Sequence, residues 1–177
     1  MKSILVVSMM AVLGTSAGAQ TSAPQAKDPV SSGLRDIQPG RQKNTIAAVE
    51  AMPAEKFSFK PTAEQKTFAQ LVVHMIEANY LLCSKAAGIA KPNAEEAKDS
   101  DSKEKLVAAL RSSFDFCSET LAKMDDSKLS EMTEGFGGKQ VTHAWFSLVL
   151  ASNWADHYAE AAMYLRLNGI VPPSAKK

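Results

Sequence analysis

An excess of charge of either sign is missing from this chain: twenty basic side chains stand against nineteen acidic ones, with no basic stripe. A surface so balanced has nothing to grip a polyphosphate backbone, which argues against nucleic acid as a partner. Histidine and cysteine are scarce, three and two residues respectively. Cys83 and Cys117 are too far apart for a C-x-x-C redox pair or a compact zinc knuckle, so any metal site must be assembled from distant segments. Beyond Leu13 no apolar run approaches the roughly 20 residues that cross a bilayer, so no membrane span is expected. Strand-like alternation and internal repeats are also absent. The glycine-rich GFGGKQ segment lacks the Lys-Ser/Thr ending and the preceding strand of a phosphate loop, and reads as a flexible linker.

The N-terminus carries the marks of an export signal. Lys2 supplies a positive start, Ile4 to Leu13 is apolar apart from Ser8, and Ala17-Gly18-Ala19 is small enough for a signal peptidase. Residues 1–19 are therefore expected to be removed, leaving a periplasmic or secreted protein that begins at Gln20. Residues 20–29 lack apolar periodicity and read as a flexible linker, and residues 30–177 are the size of one domain. In an oxidising compartment Cys83 and Cys117 are expected to form a disulfide; the alternative is two buried thiols.

Helical periodicity runs through the rest. A first helix is expected over Val30–Met52, interrupted or kinked at Gln38-Pro39-Gly40 because proline removes a backbone donor. Thr62 with Gln65 has capping-box spacing and is expected to open a second helix, with Phe68, Leu71, Val72 and Met75 in its stripe and Gly88 as its stop. Asp101 with Glu104 opens a third, in which Leu106, Leu110, Phe114, Cys117 and Leu121 share a face before Asp125-Asp126 ends it. A fourth runs from near Val141 to Asn168, with Gly169 and Pro172-Pro173 beyond. Four such helices without strands specify an all-α fold, a four-helix bundle with long connections.

Four positions are candidates for chemistry. His74 lies in mid-helix two; His157 lies in mid-helix four, four residues after Asn153 and three before Glu160, on one helical face. Each histidine alone is as well explained by structure, but histidines on facing helices are how bundles build metal sites. His143, at the start of helix four, reads as a surface or capping residue. Met52, Met75 and Met163 and the aromatic residues Trp145, Phe146, Trp154 and Tyr158 read as core and pocket lining. Arg166 is explained equally by an anionic ligand or by the helix C-terminal dipole.

The strings AMPAEKFSFKPTAEQKTFAQLVVHMIEANYLLCS and NWADHYAEAAMYLRLNGIVPPS resemble the DinB/YfiT-like superfamily, with YLRLNGIVPP the most specific piece. The resemblance implies a four-helix bundle whose metal is bound by three histidines. His74 matches the helix-two ligand and His157 the second histidine of the H-x-x-x-H pair on the last helix. Asn153 stands where that pair has its first histidine, and Glu160 where many members carry glutamine. The cofactor implied is a divalent metal, zinc or nickel, held by His74, His157 and Asn153. Glu160 or Glu77 would serve as a base, and an unknown small molecule would occupy the bundle pocket. Characterised members are thiol-dependent transferases and isomerases, an awkward activity outside the cytoplasm, where such thiols are sparse. The expected function is thus a metal-dependent transferase or hydrolase; the alternative is a non-catalytic binding or interaction protein with a degenerate site. Whether the protein is an enzyme is left open, and so is a homodimer.

Overall fold

The computed structural model describes residues 25–175, so the expected signal segment, the cleavage point before Gln20 and the first part of the linker lie outside the described residues. Four long helices form the molecule: α1 (Pro29–Ala51), α2 (Phe68–Ala87), α3 (Lys103–Lys123) and α4 (His143–Leu167). A short antiparallel hairpin, β1 (Met132–Glu134) with β2 (Gln140–Thr142), precedes α4. The all-α bundle read from the periodicity is the fold observed.

The packing order is not the chain order. α1 packs against α3 and α4, and α2 also packs against α3 and α4, so α1 and α2 sit diagonally across the bundle. Long connections follow from this arrangement, because residues 52–67 must cross one end of the bundle before α2 begins. The interior is filled by the apolar stripes, including Val49, Leu71, Val72, Leu106, Leu110, Phe114, Leu150 and Leu165, all at most 1% exposed. Cys83 and Cys117 lie in that interior, joined by a disulfide with Cα atoms 5.4 Å apart, which ties α2 to α3.

α1 runs unbroken through Gln38-Pro39-Gly40, contrary to the expected interruption. Pro39 and Gly40 face solvent, while Gln38 is buried and its amide donates to Ser118 Oγ at 2.8 Å and to the Phe114 carbonyl. Tertiary contacts to α3 on both sides of the proline outweigh the one lost intrahelical hydrogen bond.

Both ends of α1 and α3 that meet are capped across the interface. The backbone N–H groups of Val30 and Ser31 donate to the Asp126 carboxylate at 2.9 Å each, and Arg35 Nη1 donates to the carbonyls of Leu121 and Met124. Each helix thus satisfies orphan groups of the other. Burial pushes the Asp126 carboxyl up, but the Ser31 hydroxyl, the two amides and the Arg35 charge outweigh it and hold the group below the ordinary aspartate value.

α2 starts at Phe68, not at Thr62. The capping box is made by Thr67 and Gln70, whose side chains bond each other's backbone N–H. The T-x-x-Q spacing occurs twice in succession, and the second copy wins because the amides of Phe68 and Ala69 bond the carbonyls of Phe59 and Phe57. That docking seats Phe68 edge-on against Phe57, ring centroids 5.3 Å apart. α3 is capped by Ser102, whose hydroxyl accepts from the Lys105 N–H; Asp101 instead accepts from the Lys98 N–H.

The GFGGKQ segment is not a plain linker but the tip of the β1–β2 hairpin, where Gly137 and Gly138 take φ values of 66° and 76°. Val141 is consumed by β2, so α4 begins two residues later than expected, with Thr142 as its cap. Of the two readings of His143, surface or capping, the surface one is corrected: the residue is 7% exposed, and its Nδ1 lies 2.5 Å from the Lys85 carbonyl in the last turn of α2. Its ring rests on Gly88, where a Cβ would come within 3.2 Å of ring atoms. Gly88 therefore serves both its left-handed backbone, φ 65°, and this close approach.

Candidate metal centre

α2 and α4 are neighbours, and each contributes one imidazole to their seam. His74 is half-buried beside fully packed Leu71 and Met75, with Gln70 and Glu77 exposed on its solvent flank. His157 comes from the middle of α4, one turn after Asn153. The two rings lie at right angles with centroids 4.7 Å apart, and no Leu or Met side chain separates rings that close. His143 stands elsewhere, at the α2 C-terminus, and joins neither.

His157 is oriented by its own helix. Its Nδ1–H donates to Glu160 Oε2 at 2.8 Å, the i,i+3 spacing that places both side chains on one face. A carboxylate only accepts, so in the neutral ring this bond sets the proton on Nδ1 and makes Nε2 the nitrogen that carries the lone pair. Metal-binding histidines are braced in the same way.

His74 is held below the ordinary histidine value. Burial is the largest cause, followed by the neighbouring charges of His157 and Lys66, with Glu77 and Glu160 opposing. Its imidazole is therefore neutral at neutral pH, the form that has a lone pair to give.

The pair borders two different spaces. Outside, a groove of about 430 Å³ between α2 and the segment before α3 is lined by His74, Glu77, Gln70, Lys66, Lys98 and Asp99. Inside, His157 and Asn153 share the wall of a cavity of about 10 Å³ with Thr45, Asn79 and Trp154. Glu77 thus faces the open groove, one turn from His74, while Glu160 is committed to His157.

The donor set is incomplete by the standard of three imidazoles. Among the described residues no group of three or more His, Cys, Asp or Glu side chains converges as a metal cage. Two imidazoles fit a borderline divalent ion, and an amide oxygen from Asn153 is a weaker third donor than a histidine.

The polar layer beneath the pair does not stand out in the sequence. Asn79, one turn after Met75 on the buried face of α2, donates from Nδ2 to Ser113 Oγ at 2.9 Å and accepts from Trp154 Nε1 at 2.8 Å. Thr45 on α1 is 2% exposed and also belongs to this layer. An asparagine inside an apolar helical stripe is the available signal for Asn79; nothing local marks Thr45.

No described helix is long and apolar enough to cross a membrane. Comparison with solved structures finds the same fold in a DinB-like protein from Bacillus subtilis, 17% identical, with a TM-score of 0.65, covering 82% of this chain and 99% of that one. A DinB-like protein from Bacillus cereus is 16% identical, with a TM-score of 0.66, covering 80% of this chain and 95% of that one. No curated protein sequence matches the chain. The sequence profile of the DinB superfamily matches residues 40–161, a span that takes in His74, Asn153, His157 and Glu160. The chain belongs to the DinB superfamily.

Proposed function

We propose that this DinB-superfamily protein works in the periplasm or outside the cell, binding a divalent transition metal, zinc or nickel, through His74 and His157 with Asn153 as an oxygen donor. The observation that carries this reading is the perpendicular approach of the two imidazoles, 4.7 Å between centroids, from different helices. Support also comes from the Glu160 brace on His157 and from the neutral state of His74. A bound ion supplies Lewis acidity, which brings the pKa of a coordinated nucleophile towards neutrality.

The chain's own groups divide the remaining work. Lys66 and Lys98 offer positive charge to a small molecule in the outer groove, and Glu77 is placed to take a proton from it. The reaction class is group transfer or hydrolysis. Export is supported by the Lys2, Ile4–Leu13 and Ala17-Gly18-Ala19 pattern and by the Cys83–Cys117 disulfide, a bond that persists in oxidising compartments. Sequencing the N-terminus of the native protein is expected to begin at Gln20; a retained residue 1 would refute export by this route.

Calorimetric titration of untagged protein with zinc and nickel is expected to show one site, lost in both His74→Ala and His157→Ala. Equal heats in wild type and both variants would contradict it. A second reading draws on Asn153 itself: with an amide at the third position the bundle is a binding or interaction protein that has kept the fold. That reading expects the two alanine variants to change stability and nothing that depends on a metal.

A further inference from the structure

Exposed apolar surface is concentrated on one helix. Of the nine large apolar side chains exposed among the described residues, Trp145, Leu148, Met163 and Leu167 lie on α4, whereas α1, α2 and α3 together expose one, Ile37. The four recur at helical spacing, so they share the outer face of α4, turned away from its packing against α1 and α2. Between them the same face carries the small residues Ser152, Ala155 and Ala159, and the exposed charges of the helix are Asp156 and Arg166. α2 is comparably poor in charge, but the connection before α3 covers it: Asp99 accepts from Gln70 Nε2 at 3.0 Å, and Ala97 packs on the core. Among the described residues α4 has no such cover, and Leu148 is left 70% exposed.

The pattern on this face is the same from either end, with bulky apolar side chains outside and small ones in the middle. A second copy laid antiparallel therefore matches it: Leu148 meets the partner's Met163, and the small residues let the two backbones approach. Trp145 then lies opposite the partner's Arg166, a cation on an aromatic face, and the opposed helix dipoles favour the same direction. At a formal net charge of +1 two copies do not repel each other. A lipid surface fits less well, because helices that lie on membranes carry many lysines or arginines beside their apolar face, and α4 has one. A helix of 25 residues offers a strip of roughly 400 Å² at about 10 Å width. Phe136, its ring 5.7 Å from that of Trp145, and exposed Met132 extend the strip on to the hairpin. The total approaches the ~800 Å² per partner of an ordinary stable interface without exceeding it, which points to micromolar association.

We propose that the outer face of α4 is a homodimer interface, in which two copies of the chain pair antiparallel through Leu148, Met163 and the small residues between them. The pairing leaves the groove beside His74 open, since that groove lies between α2 and the segment before α3. It is independent of any metal at the histidine pair.

Sedimentation equilibrium of the purified protein across the micromolar range is expected to show the mass rising from one chain to two. Leu148→Lys and Met163→Glu are each expected to weaken association by about tenfold or more. Mixing the two variants in equal amounts is expected to restore it, because a lysine then meets a glutamate across the seam. Both positions are exposed, so each variant is expected to melt as wild type does, which separates lost association from lost folding. A single-chain mass for wild type at every concentration would overturn the proposal. So would a dimer that neither substitution weakens, or variants that do not recover on mixing. A monomer that floats with anionic lipid vesicles, or one that still carries residues 1–19, would overturn it too and assign the face to a lipid surface or to that segment.

Discussion

Glu160 reaches back one turn of α4 to hold His157, its Oε2 2.8 Å from the ring Nδ1. The bond engages Nδ1, and the ring it holds stands with its centroid 4.7 Å from that of His74. Glu160→Gln keeps the shape but weakens the brace, and is expected to lower zinc affinity by about tenfold or more, the usual effect of removing such an outer partner. The i,i+3 pair is partly exposed and contributes little to stability, so the melting temperature is expected to change only slightly. Calorimetry and thermal melts on the same samples separate the two effects.

Asn153 occupies the helical position one turn before His157. Replacing it with histidine supplies a third imidazole to the pair, and Asn153→His is expected to raise zinc or nickel affinity by about tenfold or more. Competition against a chromophoric chelator measures this directly. Unchanged affinity would mean that position 153 does not address the same ion.

The disulfide between Cys83 and Cys117 closes a loop across a sequence separation of 34. Its loss is expected to cost about 3–4 kcal/mol in the chain-entropy model. For a domain of this size that corresponds to a fall in melting temperature of about 10 °C. Comparing oxidised protein with a Cys83→Ala, Cys117→Ala variant tests it, and a mass gain of two hydrogens on reduction confirms the bond.

Asp126 and Arg35 cap each other's helices, so Asp126→Ala is expected to destabilise the bundle by about 1 kcal/mol, as loss of a helix N-cap does. The pH dependence has a definite sign. The folded carboxyl lies below its unfolded value of about 3.9, so its contribution is complete above that value and is lost as pH falls through the folded pKa. Chemical denaturation between neutral pH and about pH 2 is expected to show a shallower acid-side loss in Asp126→Asn than in wild type.

The four helices can be read from sequence because each has a long apolar stripe and a cap or breaker near its ends. The features that sequence does not reveal are decided by contacts between distant segments. Thr62 and Thr67 offer the same capping spacing, and only the docking of Phe68 on Phe57 and Phe59 chooses between them. The β1–β2 hairpin has three residues per strand, too few for alternation to show. His143 reads as a surface or capping residue, and nothing in its neighbourhood reveals that the end of α2 lies over it. His74 and His157 are identified by family resemblance and spacing together, whereas Thr45 and Asn79 become visible only when three helices meet around one cavity.

Whether His74 and His157 act on one ion is read from the ring resonances of the three histidines. In a zinc titration followed by imidazole 1H–15N correlation spectra, the signals of His74 and His157 are expected to shift together and to stop moving at one equivalent. His143, buried against Lys85 and Gly88, serves as the internal control and is expected to stay in place. Shifts confined to one member of the pair, or no response from either at saturating zinc, would rule out a shared ion.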